Sequence, residues 1–206
     1  MTWNLLKLFK KNQHKPYPPI YTPIEPVAIP EGSTLIFLRE NGNEWTQRAG
    51  EKLYGFPYHA PFHAAQVVDK GRIINVGLTT KVKMFGDLVN STTRIDVITY
   101  PQMNRDQVNA ATALAYKSVG EFYDVGGFLN FGTKYIFLLN KLIHPSDKRP
   151  FCSELCAETH FNVEYPISNL APKLTAPWDL YTWAWEHEKD GLAKVFTAFI
   201  GKDSGR

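Results

Sequence analysis

The sequence predicts an α+β fold in which an antiparallel sheet packs against helices. Short runs rich in Val, Ile and Phe have the composition of strands, for example "STLIFLRE" and "TRIDVITYP". The runs "FHAAQVVD" and "RIINVGL" are joined by the tight turn "KG", which predicts a β-hairpin and therefore antiparallel pairing. Apolar residues at helical spacing in "NRDQVNAATALAYKSVG" predict the helical part of the fold.

The composition fits one globular domain with extensions. The chain has 206 residues, of which 44% are hydrophobic and 14% aromatic, so it can bury a sizeable core without disulfides. The 23 Lys and Arg residues are nearly balanced by 20 Asp and Glu residues. The net charge of +3 is too small and too dispersed to indicate nucleic-acid binding. The two cysteines form no disulfide framework, which favours a reducing compartment or indifference to redox state.

Residues 1–31 are predicted to form an N-terminal segment outside the folded domain. "MTWNLLKLFKK" predicts a short basic amphipathic helix, which could dock on a membrane surface, on a partner or on its own domain. The six prolines of 15–31 then predict an extended arm. The lysines follow the apolar residues and no small-residue cleavage site is present, so we expect no signal peptide. No run reaches the length of a membrane span, and a cytoplasmic or virion-associated location is expected.

The folded domain is predicted to span residues 32–186. After the first strand, "NEWTQRAGEKLYG" predicts a short helix that ends at Gly55, and the hairpin and the strand "TRIDVITYP" follow. Asn104 is the expected N-cap of the next helix. "EFYDVGGFLNFGTKYIFLLNKLI" is interpreted as a loop followed by a helix, and "PFCSELCAETHFN" as a helix that begins at or just before Cys152. "LAPKLTAPWDLYTWAWEHE" predicts a proline-marked loop that runs into a short terminal element.

Residues 187–206 are predicted to form a C-terminal amphipathic helix or tail. Apolar residues recur there at the spacing i, i+3, i+4, i+7 and i+8, with lysines opposite, and such a stripe needs a partner surface. Its members are Leu192, Val195, Phe196, Phe199 and Ile200.

The two cysteines lie four residues apart in "RPFCSELCAETHF", and their positions predict different roles. A helix N-terminus stabilises an anion by roughly 0.3–1 kcal/mol, which favours a reactive thiolate at Cys152. Cys156 lies one turn further along, on the face that packs inward, so it is expected to be a core residue. A disulfide between them is not expected, because side chains at i and i+4 of a helix point in nearly parallel directions. A merely buried Cys152 is the alternative.

No metal or cofactor is predicted. Cys152, Cys156 and His160 share one helix face, but the outer two lie roughly 12 Å apart, too far for one zinc ion with ligands at about 2.0–2.3 Å. Two of them with ligands from elsewhere in the chain are an alternative. The chain contains no Gly-rich phosphate loop, paired-cysteine zinc motif or HExxH sequence.

His63 is the candidate general base among the six histidines. It opens the strand "HAAQVV" beside two small alanines, which let another element approach closely. Asn75 lies on the partner strand of the hairpin, where its amide oxygen would hold the imidazole in the useful tautomer. Cys, His and Asn form a known set in thiol proteases. A satisfied core histidine is the plainer alternative for His63, and His59 is close enough to substitute as base.

Four segments occur in an order that resembles the circularly permuted branch of the NlpC-type papain-like superfamily. They are "FHAAQVVDKGRIINVG", "FYDVGGFLNFG", "FCSEL" and "LAPKLTAPWDLY". This superfamily includes bacterial cell-wall peptidases and amidases, lipoprotein and phage enzymes, and the lecithin:retinol acyltransferase group. In the permuted branch the histidine strand precedes the cysteine helix, as His63 precedes Cys152.

The resemblance implies a permuted papain-like fold with the nucleophile at a helix N-terminus and with no cofactor. It assigns Cys152 as nucleophile, His63 as general base and acid, and Asn75 as the residue that orients the histidine. The implied supporting residues are Tyr123, Asp124, Ser153 and Glu154. The implied activity is that of a thiol hydrolase that cleaves amide bonds, by preference in the peptide part of bacterial peptidoglycan.

Two alternative functions come from other classes of protein. The same fold and nucleophile can act on lipid acyl groups, as in the acyltransferase relatives, and amphipathic termini would suit docking at a membrane surface. A non-catalytic structural protein, for example in a virion, would use the proline-rich arm and the C-terminal stripe for protein docking.

Overall fold

The computed structural model describes residues 28–39, 61–77, 79–87, 93–122 and 151–200. These residues form a six-stranded sheet with the strand order β4-β3-β2-β1-β5-β6, in which neighbouring strands are antiparallel. The strands are β1 (Thr34–Arg39), β2 (Pro61–Asp69), β3 (Arg72–Val76), β4 (Thr80–Met84), β5 (Thr93–Thr99) and β6 (Lys194–Ile200). The described α-helices are α1 (Arg105–Lys117), α2 (Cys152–Phe161) and α3 (Pro177–Glu186). The predicted α+β class with an antiparallel sheet is therefore confirmed.

β1 lies inside the sheet and pairs with both β2 and β5. Its side chains alternate between two clusters of buried apolar residues. Ile36 and Leu38 belong to the helix-side cluster, which also contains Cys156, whereas Leu35 and Phe37 belong to the opposite cluster. Both faces of β1 are buried, which explains why "STLIFLRE" is a nearly continuous apolar run.

The hairpin of β2 and β3 positions most of the candidate site. Its turn contains Gly71 with a φ of 74°, a left-handed conformation that glycine adopts without steric cost. This observation accounts for the "KG" sequence between the strands. The predicted hairpin is confirmed, as are the predicted strands β1 and β5.

The described helices begin at recognisable sequence signals. Asn104 caps α1 by accepting a hydrogen bond from the Gln107 N–H at 2.9 Å, and the Gln107 side chain accepts one from the Asn104 N–H at 3.1 Å. α3 begins with Pro177, which is favourable in a first turn because proline has no N–H group and an N–H at this position would find no acceptor within the helix. α2 contacts β2 as well as α1 and α3. The sheet and these helices therefore share one core.

The C-terminal segment is a strand, and the predicted amphipathic helix in 187–206 is wrong. β6 pairs antiparallel with β5, so this part of the tail belongs to the sheet. Val195 packs in the helix-side cluster and Ala198 in the opposite cluster. A strand with both faces buried has a nearly continuous apolar run, which also satisfies the spacing of a helical stripe. The β-branched and aromatic residues of "VFTAFI" favour the strand.

β4 is a strand that the sequence patterns do not predict. It lies at an edge of the sheet, and its sequence "TKVKM" contains two lysines. Val82 and Met84 are 38% and 50% exposed, so the strand lacks the apolar content of a buried one. Lysines and short length are common on edge strands, where they oppose pairing with other chains.

Several predictions fall outside the described residues. They concern most of the segment 1–31, the helix in 43–55, the loop and helix that follow Phe122, and the chain after Ile200. Near the end of the predicted arm, Ile29 is buried and packs in the opposite cluster. Within the described part of the chain, no helix has the length and apolar character needed to cross a membrane.

A buried carboxylate on β5 joins neighbouring strands to α3. Asp96 is fully buried and forms an ion pair with Arg94 at 2.9 Å. It also accepts hydrogen bonds from Tyr181 Oη at 2.6 Å and from Thr197 Oγ1 at 2.8 Å.

Removing one member of a buried ion pair typically costs about 3–5 kcal/mol, so we expect Asp96→Ala to lower the free energy of unfolding by about this amount in urea titrations. Asp69→Ala, on the exposed hairpin turn, is the control, and equal losses in the two variants would contradict the prediction.

Candidate active site

Cys152 is the first residue of α2 and is 7% exposed. The two residues that follow it, Ser153 and Glu154, stabilise the start of this helix. The Glu154 carboxylate accepts a hydrogen bond from the Phe151 N–H at 3.2 Å. Ser153 Oγ donates a hydrogen bond to the carbonyl oxygen of Thr175 at 2.7 Å. Ser153 and Glu154 thus fix the backbone that carries the thiol.

His63 lies near the beginning of β2, next to an irregularity in the sheet. Phe37 is opposite His63 whereas Leu38 is opposite Pro61, so β2 has one extra residue at position 62. Such a bulge bends a strand locally and re-aims the neighbouring side chains. The His63 ring is partly buried and contacts the Phe37 ring, with 5.2 Å between the two centroids.

Asn75 orients the His63 ring through a short hydrogen bond. Asn75 is opposite Ala65, which is two residues after His63, so the two polar side chains share one face of the hairpin. His63 Nε2 lies 2.7 Å from Asn75 Oδ1. An amide oxygen only accepts hydrogen bonds, so Nε2 carries a proton and donates it. Nδ1 is then the ring nitrogen that remains for the hydrogen bond with the Cys152 thiol.

The Cys152 thiol and the His63 imidazole form a hydrogen bond. Burial by itself raises the pKa of the Cys152 thiol, but the charge and hydrogen bond of His63 help to bring this pKa below its usual value. Burial lowers the pKa of His63, whereas the charge of Cys152 and the hydrogen bonds to Cys152 and Asn75 raise it above its usual value. Each shift favours the charged form of its own group, which is the thiolate for Cys152 and the imidazolium for His63.

Two backbone N–H groups also stabilise the thiolate. Those of Ala64 and Ser153 form hydrogen bonds with the Cys152 sulfur, which further lower the pKa of the thiol. The last pair of the ladder between β2 and β3 is Ala65 with Asn75, so the Ala64 N–H lies just beyond it. Ala64 is fully buried, and its small side chain lets α2 approach β2 closely, as the sequence predicts.

Cys156 has a different environment from Cys152. It is fully buried in the helix-side cluster, where burial raises the pKa of its thiol. Both cysteines are free thiols. Cys156 is therefore a core residue, and the reactivity of Cys152 stays a prediction.

His160 is a buried structural residue of α2. Its Nδ1 lies 2.8 Å from the carbonyl oxygen of Cys156, and its Nε2 lies 3.0 Å from that of Gly32. Burial lowers the pKa of His160 to about 4. The ring therefore connects α2 to the chain before β1. Within the described ranges, no group of three His, Cys, Asp or Glu side chains could hold a metal ion.

Three of the predicted site residues, His59, Tyr123 and Asp124, lie outside the described ranges. Two groups that shift the pKa values of the site were not predicted from the sequence. They are the N–H of Ala64, which lowers the pKa of Cys152, and the charge of Lys83. Burial lowers the pKa of His63 most, and the charge of Lys83 lowers it further. The alternating lysines of "TKVKM" are the sequence signal that could have indicated Lys83.

If the site has the amide hydrolase activity that the resemblance implies, we expect Asn75→Ala to lower kcat/KM for that hydrolysis by about 10- to 100-fold, because the His63 ring loses the acceptor that fixes its tautomer. Asn75→Asp keeps an acceptor oxygen and adds a negative charge, which raises the pKa of His63. The pH–rate profile of Asn75→Asp should therefore extend to higher pH. Asn169→Ala, an exposed asparagine, is the control. An unchanged rate in Asn75→Ala would show that this residue does not orient the base.

The three candidate residues come from three separate elements, β2, β3 and α2. Hydrogen bonds connect their side chains in one row, from the amide of Asn75 through the imidazole of His63 to the thiol of Cys152. No protein-family model matches the chain, and neither does any curated protein or solved structure.

Proposed function

We propose that the protein is a cysteine hydrolase in which Cys152 is the nucleophile, His63 the general base and acid, and Asn75 the residue that orients His63. The observation that carries this proposal is the hydrogen-bonded row of amide, imidazole and thiol at the start of α2. A structural cysteine typically has a thiol pKa raised by burial, as Cys156 has. The lowered pKa of Cys152 is what a thiol nucleophile requires near neutral pH.

We also propose that the sheet and helices form a permuted papain-like fold. Three features support this assignment. The histidine strand precedes the cysteine helix along the chain, the helix that begins at Cys152 contacts this strand, and His63 and Asn75 lie on adjacent strands. This is the arrangement that the resemblance to the NlpC-type superfamily implies.

The proposed reaction has two stages. The Cys152 thiolate attacks the carbonyl carbon of an amide, and the negative charge moves to the carbonyl oxygen, where backbone N–H groups near Cys152 would stabilise it. The His63 imidazolium then gives its proton to the leaving nitrogen, and the C–N bond breaks. In the second stage neutral His63 takes a proton from water, and the water oxygen attacks the thioester. The acid leaves, and the thiolate and the imidazolium are restored.

The proposed substrate is a peptide amide of the bacterial cell wall, in line with the resemblance. Lipid acyl hydrolysis is the second candidate and would use the same nucleophile. The argument from two amphipathic termini no longer applies at the C-terminus, because that apolar segment is β6 and pairs with β5. The same correction removes the C-terminal docking stripe on which the structural-protein alternative relied.

Labelling by a thiol-reactive probe at different pH values tests the proposed nucleophile. We expect iodoacetamide to modify Cys152 faster than Cys156 in the native protein at neutral pH. The rate should reach its plateau below the ordinary thiol pKa of 9.0, because the pKa of Cys152 is lowered. Hydrolysis should fall again at high pH, where the imidazolium of His63, despite its raised pKa, loses the proton that the leaving group needs. Equal and slow labelling of both cysteines would rule out the proposal.

Assays on two kinds of substrate distinguish the candidate reactions. We expect purified protein to release peptide products from muropeptides and to leave labelled phospholipids intact. The reverse result would assign the thiol to lipid acyl chemistry.

A further inference from the structure

Two lysines of β4 lie on the same face of the sheet as His63 and Asn75. In the ladder between β3 and β4, Lys81 is opposite Asn75 and Lys83 is opposite Ile73. Residues directly opposite each other in antiparallel strands point to the same side, with their Cβ atoms about 4.5–5.5 Å apart. Because Asn75 also shares its face with His63, the two lysines adjoin the site on the side of the sheet edge.

Among the described residues, no ion pair occupies the positive charges of these lysines. Lys81 is exposed and Lys83 is partly exposed. The ion pairs among the described residues involve Arg72, Arg94 and Arg105, and neither lysine has an acidic partner there. The charge of Lys83 also acts on the site. Burial lowers the pKa of His63 most, and the charge of Lys83 lowers it further.

We propose that Lys81 and Lys83 determine specificity for an acidic peptide, by pairing with carboxylates beside the scissile amide. This inference rests on the cysteine hydrolase activity proposed above. Side chains two residues apart on a strand are separated by about 6.4–6.8 Å, which is also the spacing of alternate side chains in an extended peptide. A substrate that lies along β4 can therefore present one carboxylate to each lysine.

The exposed cations of β4 favour a flexible polar chain such as a peptide over a lipid acyl chain. A lipid acyl chain requires an apolar groove next to the nucleophile. A groove of about 740 Å³, lined in part by Ile29, Tyr100 and Met103, includes none of Cys152, His63 and Asn75. It lies at the other end of the sheet, where β1 begins and β5 ends. Exposed cations on an edge strand instead suit a flexible polar chain.

Muropeptides with free carboxylates, and the same muropeptides after amidation of those carboxylates, provide the test. We expect the wild-type protein to prefer the free form by about tenfold in kcat/KM, a factor that two exposed ion pairs together can supply. The double variant Lys81→Gln with Lys83→Gln should lose most of this preference. Lys189→Gln, which removes an exposed lysine after α3, is the matched control and should keep it. Added salt should reduce the preference of the wild type, because exposed pairs are screened.

Hydrolysis of p-nitrophenyl acetate, a neutral ester, separates failure of this inference from failure of the proposed function. If the wild type and the double variant both hydrolyse the ester at their optimal pH, the thiol chemistry stands. Equal turnover of the two muropeptide forms, or a preference that survives in the double variant, then overturns the specificity assignment. Absence of turnover of either form overturns it as well. Faster turnover of phosphatidylglycerol vesicles than of muropeptides would assign the lysines to an anionic lipid. Failure of ester hydrolysis, together with equal and slow labelling of both cysteines, overturns the proposed function itself.

Discussion

Replacing Cys152 with alanine is expected to lower kcat/KM by about 10⁴-fold or more, because the reaction loses its nucleophile. The remaining residues can bind and polarise a substrate but cannot form the thioester. Site-specific labelling by iodoacetamide at neutral pH should disappear in the same variant. The measurements are hydrolysis rates on muropeptides and mass spectrometry of the labelled protein.

Cys156→Ala is the matched control for this variant. It removes a thiol from the same helix one turn away, where burial raises the pKa and the side chain packs in the helix-side cluster. We expect nearly unchanged kcat/KM and a loss of about 1 kcal/mol in the free energy of unfolding, as for a typical small change in a core. Retained activity in Cys152→Ala, or equal inactivation of both variants, would contradict the assignment of the nucleophile.

Replacing His63 with alanine is expected to lower kcat/KM by about 10³-fold or more, since this residue serves as acid and base and also stabilises the thiolate. Without the imidazolium, burial becomes the main influence on the Cys152 thiol, and its pKa rises. Labelling of Cys152 should therefore become slow at pH 7 and recover as the pH is raised. A purely structural role of His63 would not produce this pH dependence.

His187→Ala is the control for the histidine variant. The His187 ring bonds to the carbonyl oxygen of Trp183 at the end of α3, with Nδ1 at 2.8 Å from it. We expect this variant to keep the labelling profile and the rate of the wild type. If His63→Ala labels Cys152 as fast at pH 7 as the wild type does, His63 is not the base.

The parts of the fold that could be predicted from the sequence depend on local chemistry. The turn with Gly71 and the apolar runs on either side of it specify the hairpin of β2 and β3. Asn104 specifies the start of α1 through its capping box. Each of these signals lies within a few residues of the feature that it determines.

The C-terminal strand could not be predicted because its structure depends on distant residues. Val195 and Phe196 are adjacent apolar residues, and this pattern fits a helical stripe as well as a strand buried on two faces. The deciding contacts are the pairing with β5 and the hydrogen bond from Thr197 to Asp96. These contacts join residues about a hundred positions apart, and a local pattern contains no information about them.

The proximity of the three candidate residues could be predicted from the sequence, and their surroundings could not. Cys152 at a helix start and the spacing of 12 residues between His63 and Asn75 are visible in the sequence, and the hydrogen bond between the latter two agrees with that spacing. The N–H of Ala64 and the charge of Lys83 act on the site through the position of α2 and the register of β4. Both depend on tertiary packing.

The different environments of the two thiols in α2 make this helix a built-in reporter of unfolding. If Cys152 is the proposed nucleophile, its reactivity depends on the packing of α2 on β2, because His63 is distant in the chain and contacts the thiol only in the folded protein. Cys156 is protected by the same packing and becomes accessible when it is lost. In an unfolded chain both thiols have ordinary pKa values and react alike. The ratio of their modification rates therefore measures the folded population without any added probe group in the chain.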